Sequence, residues 1–179
     1  MRTPLGESTW GWWIAFAAVA VASAIDLKSR RIPNALTFPL AGLALVANGI
    51  VGGWTGLGAS GLGLAVGLGL FLIAMMVGAM GAGDVKLMAG LGALLGVVHV
   101  FWIGLFTCVM GGVLAVIHSG GKGTLPRMLR RTWELMKCIV LTRRLPKADE
   151  LNATGEDYMP YALAIALGVT AQYLYRGGS

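Results

Sequence analysis

From Leu87 to Ile117 the chain runs for 31 residues without a charged side chain, and residues 14–25, 35–51 and 57–80 are equally uncharged. Repeated runs of this kind are hard to bury in a small water-soluble core, whereas about 20 apolar residues in a helix cross a bilayer. Composition agrees. Of 179 residues, 56% are hydrophobic and 12% charged, with a mean hydropathy of +0.75; soluble domains carry about 25% charged residues. The expected fold is all-α: a polytopic membrane bundle of about six transmembrane helices. The length suits a single integral-membrane domain over 1–179. The 28 glycines then read as small residues that let helices approach closely, rather than as loop residues.

The apolar runs predict helices in order. Residues 1–9 are a short polar lead, and Trp10, Trp12 and Trp13 suit an interfacial belt at the start of the first helix. Lys28, Arg30 and Arg31 follow directly after this run, as at the cytoplasmic end of a membrane helix. A cleaved signal peptide is the alternative, because Ala22-Ser23-Ala24 resembles a small-residue cleavage site. Pro33 is expected to start the second helix, since proline is tolerated in a first turn. That helix should end at an uncharged outer turn, residues 52–56. The third spans about 57–80, with Gly63 and Gly67 at a spacing that favours helix packing.

The 31-residue run is too long for one straight crossing, so two short helices with a turn near His99 are expected. Charge supports that division. Lys122, Arg127, Arg130, Arg131, Lys137, Arg143, Arg144 and Lys147 lie in 118–158. With two helices in 87–117, this basic loop falls on the same side as Lys28, Arg30 and Arg31, as the positive-inside rule requires. Within it, Leu129, Trp133, Met136 and Val140 recur at spacings of three and four, predicting an amphipathic helix over 128–141 on the inner leaflet. A last apolar run, 159–175, closes the bundle and leaves both termini outside. The net charge of +6 is thus a topology signal, and no nucleic-acid partner is expected.

Against this background two residues stand out. Between Glu7 and Glu134 the only acidic residues are Asp26 and Asp84. The helix count sets both at cytoplasmic helix ends, Asp26 closing the first helix and Asp84 opening the fourth. Each has an ordinary explanation: Asp26 as an interfacial acid paired with Lys28, Arg30 or Arg31, Asp84 as the N-cap of its helix. Together they suggest a shared site. Two neighbouring carboxyls do not readily both ionise. One can then act as base toward a water while the other donates a proton to a carbonyl oxygen. Gly81 and Gly83 beside Asp84 would let an extended substrate approach the backbone. Lys86 would add positive charge or extend to the interface. No HExxH or GxSxG pattern occurs, His99 and His118 are the only histidines, and Cys108 and Cys138 form no CxxC pair. No metal or other cofactor is expected.

The segment Gly81-Ala82-Gly83-Asp84 with Lys86-Leu87 resembles the GxGD motif of the type IV prepilin peptidases, which are membrane aspartyl proteases. Asp26 followed by basic residues and Ile32-Pro33-Asn34 is similar to that family's first-aspartate segment. Met159-Pro160-Tyr161-Ala162 with Ala164, Ile165, Ala166 and Gly168 resembles the last helix of the short members serving Tad/Flp pili. The resemblance implies a bilobal or loosely packed helical protease with Asp26 and Asp84 as catalytic dyad. Gly81, Gly83, Lys86, Pro33, Asn34, Pro160 and Tyr161 would bind substrate or shape the site. It implies a prepilin substrate with a short basic leader, cut at the cytoplasmic face of a bacterial inner membrane. Membrane lipids and the pilus-assembly machinery would be further partners. The paired CxxC motifs of larger members are absent from the sequence, so N-methyl transfer is not expected. A small transporter using the aspartates as a proton or cation relay, or a non-catalytic pilus-assembly factor, are the readings from other classes.

Overall fold

The computed structural model describes residues 2–29, 32–76, 81–120 and 161–177, and every regular element among them is an α-helix. The elements are α1 (Pro4–Glu7), α2 (Thr9–Ser29), α3 (Asn34–Met76), α4 (Ala82–Leu95), α5 (Val97–Gly120) and α6 (Tyr161–Gly177). Three segments are long and apolar enough to cross a membrane: Thr9–Ser29, Asn34–Ile73 and Val97–Leu114. The chain is an all-α membrane bundle. Pro160 and the amphipathic helix expected over 128–141 lie outside the described residues, as do Arg30 and Arg31.

Two glycines divide the long apolar stretches. Gly53, at φ 58° and ψ −146°, interrupts α3 and splits it into arms 34–52 and 54–76. The outer turn expected over five residues is therefore a break at one. Gly96, at φ 88°, separates α4 from α5, which bears out two helices in 87–117 but sets the break three residues before His99. A side chain would resist positive φ at both positions, so glycine fixes where each run divides. Pro33 precedes α3 instead of lying in its first turn, and its carbonyl accepts a bond from the Leu36 N–H at 3.0 Å.

Helix α4 is the centre of the bundle. Of its 14 residues, Asp84, Val85 and all of Leu87–Leu95 are buried. A helix apolar on every side has no face to give to water and must be enclosed. At 1.5 Å per residue it is about 21 Å long, short of the ~30 Å hydrocarbon core. Its last carbonyls therefore end among protein, where each needs a donor. Those donors come from distant segments. Asn48 Nδ2 donates to the carbonyls of Ala93 at 3.1 Å and Leu94 at 3.3 Å. Ser60 Oγ donates to Ala93 at 2.6 Å, and Thr3 Oγ1 to Leu94 at 2.8 Å. Thr3 Oγ1 also accepts the Gly6 N–H and caps α1. The polar lead is thus a structured lid over the end of α4.

The spacing of Gly63 and Gly67 has the packing role expected of it. A Cβ on Gly63 would fall onto the carbonyl oxygen of Gly92, and one on Gly92 onto that of Gly63. A Cβ on Gly67 would stand 2.6 Å from the Met88 carbonyl oxygen. The second arm of α3 and α4 thus meet backbone to backbone. At the same end as the α1 lid, Trp12 is fully buried, its Nε1 bonded to the Gly6 carbonyl at 2.9 Å. It meets the His99 ring edge to face, and Arg176 lies over the Trp12 ring. Trp12 is accordingly a core residue, while Trp10 and Trp13 remain exposed as a belt requires.

Candidate active site

The opposite end of the bundle gathers the C-terminal turns of α2 with the N-termini of α3, α4 and α6. Asp26, one turn from the end of α2, is 1% exposed, and Asp84, in the first turn of α4, is 5% exposed. They are the two buried carboxylates among the described residues. They lie close enough for the charge of Asp26 to act on Asp84. The structure therefore brings together the two acids that the sequence isolates.

Local geometry explains how α4 presents its carboxyl. Gly81, with φ −77° and ψ 154°, occupies the N-cap, and Asp84 is the third helical residue. Its Oδ2 accepts the Gly81 N–H at 3.2 Å, while the Gly81 carbonyl accepts from the N–H groups of Asp84 and Val85. Asp84 thus closes half of a capping box rather than acting as the N-cap itself. That role engages one oxygen. The other, Oδ1, is buried and accepts no hydrogen bond among the described residues. A purely structural cap has no need to bury a second acceptor without a donor.

The segments on either side of the pair are locked together. A Cβ on Gly83 would stand 2.9 Å from Ile32 Cβ and 3.3 Å from its backbone nitrogen, so the absence of a side chain lets the two aspartate-bearing segments touch. Lys86 Nζ donates to Asn34 Oδ1 at 2.9 Å and lies 5.4 Å from the centre of the Phe38 ring. Its ammonium is engaged by the start of α3, a more specific placement than the site charge or interfacial lysine expected. Pro33, between Ile32 and Asn34, is half-buried in this junction.

Tyr161, the first residue of α6, is half-buried. Its ring faces Gly111 of α5, where an added Cβ would stand 3.5 Å from Cε1, and Asp84 and Cys108 act electrostatically on its phenol. Sequence reasoning missed Ser23. Its hydroxyl donates to the Ala162 carbonyl at 3.0 Å in a buried contact, tying the first turn of α6 to α2 one turn before Asp26. The only sequence signal was that a hydroxyl shares a helix face with the aspartate, at a spacing of three.

Among the described residues no three His, Cys, Asp or Glu side chains cluster as a metal site would require. What the arrangement offers chemically is two buried carboxyls on different helices, one with an open acceptor oxygen, beside the exposed Gly81.

The fold and this composition define a helical membrane protein, and the comparison with protein families gives its class: a membrane protease. Residues 13–116 match the type IV leader peptidase family, and the chain belongs to it. The matched region contains both aspartates, Ser23 and the 81–87 segment, and ends before α6. No curated protein and no solved structure matches the chain.

Proposed function

We propose that this chain is the leader peptidase of a type IV prepilin of the Flp class, cleaving a short basic leader at the cytoplasmic face of a bacterial inner membrane. The observation that carries the proposal is the juxtaposition of Asp26 and Asp84, buried on separate helices at one end of the bundle. A buried carboxyl is unfavourable unless paired or used. Membership of the leader peptidase family supports a use in peptide hydrolysis.

In this reading the pair shares one proton. The ionised carboxyl takes a proton from a water held between the two, and the water oxygen attacks the scissile carbonyl. The protonated carboxyl donates to the carbonyl oxygen. Collapse of the tetrahedral intermediate breaks the C–N bond as a proton passes to the leaving amine. No covalent enzyme intermediate is needed. Gly81 leaves room for an extended substrate strand beside Asp84, whereas the space at Gly83 is taken by Ile32 rather than left for substrate, and the Ile32–Gly83 and Asn34–Lys86 contacts hold the two aspartate segments in register. The membrane crossings, counted as α2, the two arms of α3, α4, α5 and α6, are six. On this count both aspartates fall on the side of Lys28 and of the basic 118–158 segment, where a basic leader remains after its apolar helix inserts.

The test is cleavage of a co-expressed Flp-type prepilin, read as a mobility shift. Wild type is expected to cleave, and Asp26→Asn and Asp84→Asn, at equal abundance in the membrane, are expected not to. Cleavage by either variant would remove the two-aspartate mechanism. Failure of the wild type against several prepilins would favour a transport or assembly role.

A further inference from the structure

The aspartate pair leaves one feature unused: Asp84 Oδ1 is buried without a donor among the described residues. Such an acceptor costs stability unless the working site supplies a hydrogen bond. A candidate donor opens a different helix, whose first turn is tied to the α2 turn before Asp26. The Tyr161 phenol opens α6, packs its ring against Gly111 and lies within the electrostatic reach of Asp84. Tyr161 is half-buried. Asp84 from α4 and Cys108 from α5 are the titratable groups that act on it, and Asp26 of α2 acts in turn on Asp84.

We propose that the Tyr161 hydroxyl is the hydrogen-bond donor to Asp84 Oδ1 in the working site, and that Ser23 is the residue that holds it in reach. The Ser23–Ala162 bond of 3.0 Å is the link. It joins the residue after Tyr161 to the α2 turn that ends in Asp26, so one hydroxyl fixes the first turn of α6 against the helix bearing the other carboxyl. Without it the first turn of α6 is held to α2 by packing alone, and the phenol is less firmly positioned. Both are positioning residues: with the Gly81 N–H on Oδ2, a second donor on Oδ1 orients the Asp84 carboxyl and favours its ionised form, leaving Asp26 to carry the shared proton. The inference rests on the peptidase reading for its catalytic consequence, but the pairing of phenol and carboxyl does not.

The experiment therefore has two arms, both on the full chain in detergent. In the first, tyrosine is labelled at Cζ with carbon-13 and the Tyr161 signal identified by its loss in Tyr161→Phe. That signal is expected to move as pH is taken through the titration of the carboxyls, and to stay still in Asp84→Asn. In the second arm, prepilin cleavage is measured. Tyr161→Phe is expected to lower kcat about tenfold to a hundredfold, the loss of one hydrogen bond to a charged group, with KM little changed and the pH profile displaced. Ser23→Ala is expected to shift both in the same direction by less, and Ser23→Thr, which keeps the hydroxyl, to restore them. A Tyr161 signal indifferent to Asp84→Asn overturns the inference whatever the cleavage result, as does a Tyr161→Phe enzyme with wild-type kcat and pH profile. A wild type that cleaves no prepilin removes the peptidase reading instead, while the signal still decides whether phenol and carboxyl are partners.

Discussion

Lys86 Nζ donates to Asn34 Oδ1 at 2.9 Å, across 52 residues of chain. The bond joins the residue that begins α3 to the second turn of α4, two residues from Asp84. It therefore spans the two stretches that carry the aspartates. Because it is exposed, its contribution to stability is small, and its importance is registration.

Lys86→Ala and Asn34→Ala should each lower stability by about 0.5–1 kcal/mol, the range for exposed polar pairs. The double variant should lose little more than either single one. Thermal unfolding of the four proteins in one detergent checks this, and fully additive losses would show that the two side chains act independently.

Gly83 and Gly81 should differ in tolerance. An alanine at 83 forces its Cβ onto the branched carbon of Ile32 at 2.9 Å, whereas one at 81 meets only Asp84 Oδ2 at 3.2 Å. Overpacking of the first kind costs about 1–3 kcal/mol. Gly83→Ala is therefore expected to be the more damaging of the two, both in unfolding temperature and in prepilin cleavage. Equal behaviour of the two variants would mean that Ile32 yields easily.

The contact between α3 and α4 gives a sharper stability comparison. Gly63→Ala sets a methyl against the Gly92 carbonyl, while Gly58 and Gly61, on the same arm, have open space where a Cβ would stand. Gly63→Ala should destabilise by about 1–3 kcal/mol, and Gly58→Ala and Gly61→Ala should be neutral or slightly stabilising. Unfolding curves for the three variants, measured side by side, decide the point.

Asn48 should be among the most sensitive polar residues remote from the site. It is fully buried, donates to the last carbonyls of α4 and accepts the Leu5 N–H at 3.0 Å. Asn48→Leu orphans the part-buried Leu5 N–H, and although Ser60 and Thr3 still serve the two carbonyls, a loss of about 1–3 kcal/mol is expected. Hydrogen exchange should show the end of α4 opening first, around Leu94 and Leu95. Unchanged protection there would mean that Ser60 and Thr3 suffice.

If Asp26 and Asp84 share one proton, cleavage should follow a bell-shaped dependence on pH. At low pH both carboxyls are protonated and no base remains. At high pH both are ionised and no acid remains. The two limbs belong to the pair, not to either residue. A profile with a single limb would indicate that only one carboxyl changes protonation in the working range.

Much of this protein is legible in its sequence because lipid leaves a chain few choices. Uncharged runs must form helices that satisfy their own backbone, and so the division of 87–117 into two helices follows from length and charge alone. The isolation of Asp26 and Asp84 in an apolar chain is enough to single them out, since buried charge is rarely kept without a reason. Those inferences are local, resting on what one residue type costs in one environment. The sequence could not say which of three tryptophans turns inward, because Trp10, Trp12 and Trp13 are alike until α1 folds back and offers Trp12 the Gly6 carbonyl. Nor could it assign Asp84 its place in the helix, since the capping position depends on where Gly81 bends. Asn48, Ser60 and Thr3 converge on the end of α4, and Ser23 finds Ala162, only through packing between segments far apart in the chain. Hydrophobicity acts residue by residue and is written in the sequence; a hydrogen bond needs two partners at about 3 Å, and which pairs meet is decided when the helices close on α4.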